Sequence, residues 1–150
     1  MATAPLLVFA WGNASRGDDA LGPRFAEAVR ALWVDDPGVE VLDDHQLQIE
    51  HAMDLHGRER VLFVDASLTA AAPFEVIALQ PLRDASYSSH AMSPQALLQV
   101  HHDAFGAPAP SSWLLAIRGE AVELGQPPTA AALQNLQAAL LWARVWLAGP

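Results

Sequence analysis

The chain has no cysteine among its 150 residues, which excludes disulfide staples, thiolate nucleophiles, cysteine-ligated zinc and dithiol redox motifs. It has no lysine either: its cations are eight arginines, set against 17 acidic residues for a net charge of −9. A surface of that sign repels nucleic acid and anionic membranes and attracts cations, so neither nucleic acid nor a membrane is expected as a partner. Uninterrupted hydrophobic runs of membrane length are missing too. The stretch AALQNLQAALLWARVWLAG is broken by Gln, Asn and Arg144 and reads as a core helix, since a span needs about 20 predominantly apolar residues. MATAPLLVFAW at the start has no basic segment ahead of its short apolar run and reads as a strand, not a signal peptide. A cytoplasmic protein is expected, with a single domain over residues 1–150. A chain of this length buries roughly 70% of its unfolded surface without staples.

What is present alternates between two periodicities. Leu6 to Trp11 is a continuous apolar run of strand length, and Leu21, Phe25, Val29 and Leu32 then recur at helical spacing. VEVLD (39–43) reads as a second strand, 47–55 as a short helix, and RVLFVDAS (60–67) as a third strand whose apolar run stops at Asp65. FEVIAL (74–79) is a fourth strand. Ser93 and Pro94 supply an N-cap and a first-turn proline for a helix reaching His102. SWLLAIRG (112–119) is a fifth strand, and a last helix from Thr129 carries Leu133, Leu136, Leu140 and Leu147 on one side. Strands alternating with helices predict an α/β fold: a mostly parallel sheet with helices on both faces.

Ligands of open α/β sheets collect beyond the carboxyl ends of the strands. The turn GNASRGDDALGPR (12–24) sits there. A glycine-rich strand-to-helix turn ordinarily cradles a phosphate, but Asp18 and Asp19 would repel a phosphate and attract a cation, unless the pair is simply two capping acids. Asp65 ends the third strand and His90 lies in the connection after the fourth. Two carboxylates and an imidazole suit nickel, zinc or a similar divalent ion with coordination positions left open. Each residue has an ordinary alternative. An Asp at a helix start serves as a cap or dipole partner, the role assigned here to Asp18, with Asp19 left as the candidate ligand. Asp65 can bond its neighbouring turn, and His90 can cap the helix that follows or face solvent. His101 and His102 are expected at a helix end, complementing its dipole. HQLQIEH (45–51) lacks the H-E-x-x-H spacing of a metalloprotease helix, and Ser15, Ser67 and Ser111 have no nucleophile-elbow context.

The segments LLVFAWGNASRGDDALGPR, VLFVDAS and SSHAMSPQALL together resemble the hydrogenase maturation proteases, the endopeptidases that trim the C-terminal extension from the large subunit of nickel–iron hydrogenases. The resemblance runs over nearly the whole chain. Its most specific part is the G-N-x(4)-D-D-x-x-G turn, joined by an Asp ending the third strand and a His before the next helix. It implies a three-layer α/β/α fold, a twisted sheet of about five strands between helices. It also implies that Asp19, Asp65 and His90 contact metal and act in catalysis, the first being Glu or Asp in the family. The metal is the nickel already carried by the precursor, so no resident or organic cofactor is expected and the partner is the large-subunit precursor. Hydrolysis would draw on a metal-polarised carbonyl or a metal-activated water. One departure stands out. Where many relatives carry a Gly-Gly-Thr type turn after the second strand, this chain has Asp43-Asp44-His45-Gln46-Leu47, which leaves the part of Asp44, His45, Gln46 and Glu50 in substrate grip open. Two other readings compete. A nickel-checking chaperone would bind the precursor without cutting it. A receiver-like signalling domain shares the sheet and acids but needs a Lys that the chain lacks, and its acidic pair would sit at the strand end instead of seven residues beyond Trp11.

Overall fold

A computed structural model describes residues 3–87 and 91–149 of the chain. β1 (Leu6–Trp11) leads through a 3-10 turn (Gly17–Ala20) into α1 (Leu21–Leu32), and β2 (Val39–Asp44) is followed by a 3-10 helix (Ile49–Leu55). β3 (Arg60–Ser67) and β4 (Phe74–Leu79) come in succession. Then follow α2 (Pro94–Phe105), β5 (Ser111–Arg118) and α3 (Ala130–Ala148). Among the described residues the strands form one sheet in the order β2-β1-β3-β5-β4. All neighbours are parallel except β4, which runs against β5.

The continuous apolar runs of β1 and β3 belong to strands covered on both faces, as a central parallel sheet requires. Val8, Ala10, Leu62 and Val64 pack on one face under α1 and α3. Leu7, Phe9, Val61 and Phe63 pack on the other under α2 and the 3-10 helix. The result is the expected three-layer α/β/α arrangement. β4 has an equally apolar sequence but is an edge strand, with Val76 and Ile77 exposed.

The reversal of β4 corrects one expectation. A residue following β4 does not start from the carboxyl edge of the parallel strands, because Leu79 pairs with Ser112 at the beginning of β5. The chain returns to the carboxyl edge by climbing back along α2: Leu82 N–H donates to Gln95 O at 3.1 Å, and Met92 N–H donates to Leu47 O, just beyond β2, at 3.0 Å. α2 also runs past His102 to Phe105, where Gly106 at φ 62° stops it. Expected at that helix end, His101 is instead fully inside, its Nε2 3.2 Å from His56 Nδ1 and its ring packed against Phe105. Burial, with His56 and His102 adding to it, holds its imidazole below the ordinary histidine range. His102 does lie at the helix end, its Nδ1 3.1 Å from Ala107 O.

α1 is pressed onto β1 so closely that a Cβ on Gly22 would lie 2.2 Å from the Trp11 carbonyl oxygen. Because the obstacle is backbone, Gly22→Ala must displace the helix. We expect it to destabilise the fold by about 3 kcal/mol, the upper end for overpacking. Urea denaturation checks this, with a lowered midpoint at unchanged m-value.

Candidate functional site

The turn between β1 and α1 folds back on itself. Gly12 takes φ 145°, and a side chain there would strike the Asp19 carbonyl oxygen at 2.2 Å, so only glycine brings Asp19 this close to the strand end. Asn13 N–H then donates to Asp19 Oδ2 at 2.8 Å, while Asn13 Oδ1 accepts from Ser15 N–H at 2.8 Å. Asp19 N–H donates to Arg16 O at 3.0 Å. Asp19 is left half-buried at the carboxyl edge of β1.

Its neighbour points the opposite way. Asp18 is 0% exposed and caps nothing in α1. Its carboxylate accepts from the backbone N–H groups of Glu120 (2.6 Å), Ala121 (3.0 Å) and Thr129 (2.6 Å), and from the Thr129 hydroxyl at 2.9 Å. Thr129 is the N-cap of α3. The expectation of a cap is thus corrected: Asp18 serves the start of the last helix, more than a hundred residues away in sequence. Burial pushes its carboxyl up, but the four hydrogen bonds outweigh it and hold the group below the usual carboxylate range.

Asp65 ends the buried part of β3 on the side of Phe63 and is half-buried. Burial and the nearby charge of Asp19 push its carboxyl up to about 7, against hydrogen bonds from the Ala66 backbone and the Trp11 side chain. Two carboxylates held close, one of them pushed up by burial and by the other's charge, form an acidic pair whose ionised form a divalent cation would favour. The structure thus brings Asp19 and Asp65 together. His90 lies outside the described residues. Beyond it in sequence, Ser93 N–H donates to Ser86 Oγ at 2.8 Å and Met92 N–H donates to Leu47 O at 3.0 Å. Among the described residues no group of three or more His, Asp or Glu is arranged to hold a metal ion.

One arrangement escaped sequence reasoning. Asp44, at the end of β2, faces His51 in the 3-10 helix, with Oδ2 3.2 Å from Nε2. No fixed spacing signals such a pair, because the turn between them sets the contact. A cleft of about 690 Å³ lies along the outer edge of β2, between Trp33, Val41, Met53 and Arg58. Neither Asp19 nor Asp65 lines it.

Comparison with solved structures returns this three-layer fold in proteins named as hydrogenase maturation proteases. The chain is similar to the NiFe hydrogenase maturation protease HycI from Thermococcus kodakarensis KOD1, at 23% identity over 94% of this chain and 91% of that one, with a TM-score of 0.71. It is similar to the hydrogenase maturating endopeptidase HybD from E. coli at 22% identity, over 98% and 92% of the two chains, with a TM-score of 0.72. The endopeptidase HycI from Escherichia coli is 19% identical over 99% and 93%, with a TM-score of 0.68. No protein-family model matches the sequence, and no curated protein matches it. No helix among the described residues is long and apolar enough to cross a membrane.

Asp18 and Asp65 respond to pH with opposite sign. Asp18, depressed below 3.8, contributes stability that is present above its unfolded pKa and lost as pH falls through its folded value. Asp18→Ala strands three backbone donors and should lower stability by about 3 kcal/mol or more, with a weaker acid transition in the variant, measured by urea denaturation across pH. Asp65 keeps its proton in the folded protein between about 4 and about 7, while the unfolded chain has lost it. Its contribution therefore falls as pH rises through that window. Thermal melts of Asp65→Asn should show that decline removed.

Proposed function

We propose that the chain is an endopeptidase that removes the C-terminal extension of a nickel–iron hydrogenase large-subunit precursor in the cytoplasm, after nickel has been inserted. Asp19, Asp65 and His90 engage the nickel carried by that precursor. The observation that carries this reading is the Asp19–Asp65 pair, in which burial and mutual repulsion hold one carboxyl near 7. A divalent ion arriving with the substrate relieves both penalties at once, so metal recognition and substrate recognition become one event. The fold supports the same reading, being shared with structures named as maturation proteases. The donor set fits a borrowed ion. Two carboxylates and one imidazole, without a thiolate, leave coordination positions open instead of closing a four-ligand structural shell.

Peptide hydrolysis adds the oxygen of water to the scissile carbonyl carbon and returns a proton to the leaving nitrogen. A substrate-borne metal beside that carbonyl supplies Lewis acidity. The protein's own residues would fix where the ion sits: Asp19 through the Gly12–Asn13 turn, Asp65 through the pairing of β3 with β5 opposite Ala116.

The test is to incubate the purified protein with nickel-loaded and nickel-free precursor, with a serine-protease inhibitor in both arms, and to follow release of the C-terminal peptide by mass spectrometry. Cutting of the loaded form alone is expected. Asp19→Asn, Asp65→Asn and His90→Ala should each slow it by at least about 100-fold, the upper end of what substitutions around a metal's ligands cost. Equal cutting of both forms, or inhibition by the serine reagent, would defeat the mechanism. Tight binding of loaded precursor with no peptide released would identify a nickel-checking chaperone instead.

A further inference from the structure

Among the described residues β2 is one edge of the sheet, and its outer side faces the cleft between Trp33, Val41, Met53 and Arg58. Which backbone groups it offers there follows from its pairing with β1. Leu6 N–H donates to Gly38 O and Gly12 N–H to Asp44 O, both at 3.1 Å, and the strands run parallel in unbroken register from Leu6↔Val39 to Trp11↔Asp44. Residues 38, 40, 42 and 44 therefore turn their backbone groups toward β1, while Val39, Val41 and Asp43 turn theirs outward. Val39 N–H is taken up by Asp36 O at 3.3 Å. Nothing among the described residues bonds the N–H of Val41 or of Asp43. The Val41 carbonyl accepts only from the Arg30 guanidinium, at a long 3.4 Å, and that guanidinium is already paired with the Asp43 carboxylate.

An open strand edge is a template for one more strand, and the walls around it decide what can take it. Trp33, Val34 and Pro37, at and beyond the end of α1, line the cleft from one face of the sheet, and Met53, Asp54 and His56 line it from the other. The six residues of β2 thus floor a slot about 20 Å long. A second copy of the chain would bring its own β2 recessed between the same walls, and its net charge of −9 would oppose the approach. A single extended peptide fits: its backbone meets the outward groups of β2, and its side chains point alternately toward the two walls. Val34 and Met53, on opposite walls, are 76% and 71% exposed, and a bound strand would cover both.

We propose that the outer edge of β2 is a peptide-binding groove that takes the C-terminal extension of the precursor as a sixth strand of the sheet. The inference rests on the endopeptidase reading and names the substrate segment that the groove would hold. The groove is within reach of the acidic pair. An added strand lies two strand spacings, about 10 Å, from β1, whose end leads through Gly12 and Asn13 to Asp19, and about three extended residues span that distance. On the substrate, the side of the scissile bond that carries nickel is fixed at the metal, so the extension is the side free to lie along β2. Backbone bonds supply the grip, and the two apolar walls select extensions with apolar residues at adjacent positions, one for each wall.

Two measurements on the full chain test this. Amide hydrogen exchange, with a synthetic peptide copying the extension titrated in, reads strand addition directly. Exchange at Val41 and Asp43 should slow by at least about tenfold, while Leu42 and Asp44, which face β1, change little. Steady-state cleavage of nickel-loaded precursor reads the groove's use. Val34→Asp and Met53→Asp each put a charge on one wall and should raise KM by about tenfold with kcat unchanged, the loss of an apolar contact made equally in ground and transition states. Val145→Asp makes the same exchange at a 74% exposed position on α3, away from the groove, and should cleave like the parent. Unslowed exchange at Val41 and Asp43, or wall variants that cleave like Val145→Asp, would overturn the groove while leaving the endopeptidase reading intact. A concentration-dependent dimer, seen by light scattering and lost in Val34→Asp, would assign the edge to a second copy and overturn it too. If the parent chain cuts no precursor, with nickel or without, the endopeptidase reading has failed and the proposal falls with it.

Discussion

The buried carboxylate of Asp18 is the constraint on which the rest of the arrangement depends. A charge taken out of water must be met by dipoles or by an opposite charge. Here it is met by three backbone N–H groups and a hydroxyl, all from the segment running from β5 into α3. That contact fixes the orientation of the 3-10 turn, and with Asp18 committed inward the adjacent side chain is sent toward Asn13 and the end of β3. It also sets where α3 begins, because Thr129 both donates to Asp18 and caps the helix by accepting from Ala132 N–H. One side chain locks the first turn of the chain against its last helix.

The site then depends on contrast between identical groups. Asp18 and Asp65 are both sheltered from water, yet one is held ionised by an array of donors and the other is pushed toward its neutral form by burial and a like charge. The first stores charge where it stabilises the scaffold. The second is held toward its neutral form at a place where a cation would favour its ionisation. No Lys exists to do so, and the Arg30 guanidinium is engaged with Asp43 and the Val41 carbonyl on the outer side of β2.

Much of this was legible in the sequence. β1, β3 and α1 could be read because a strand buried on both faces writes an uninterrupted apolar run, and a helix packed on one side writes a three-to-four repeat. The sequence separates Asp18 from Asp19 but points to Asp18 as a cap of its own helix, because its partners lie beyond β5 and leave no local mark. His101 was misjudged because proximity to a helix end predicts a dipole contact only for a side chain facing solvent, and α2 turns this one into the core. Strand order and the direction of β4 leave no local trace, since an apolar edge strand and a central one spell alike. The Asp44–His51 contact is set by the path of a turn and has no periodic signature.

The reversed β4 also decides which parts of the chain can change length. Because the strand delivers the chain to the wrong edge, the connection must cross the height of the sheet, and it does so fastened to α2. Leu82 bonds Gln95, and Asp84 and Ser86 both bond Ser93. Residues inserted around Gln80 and Pro81, before the first of these fastenings, are taken up at the sheet's far end. Residues inserted between Met92 and Pro94 would break the register between the Leu47 carbonyl and the helix start together. Variation in loop length among proteins built this way should therefore collect on the β4 side of the crossing, leaving a fixed count back from the first turn of α2.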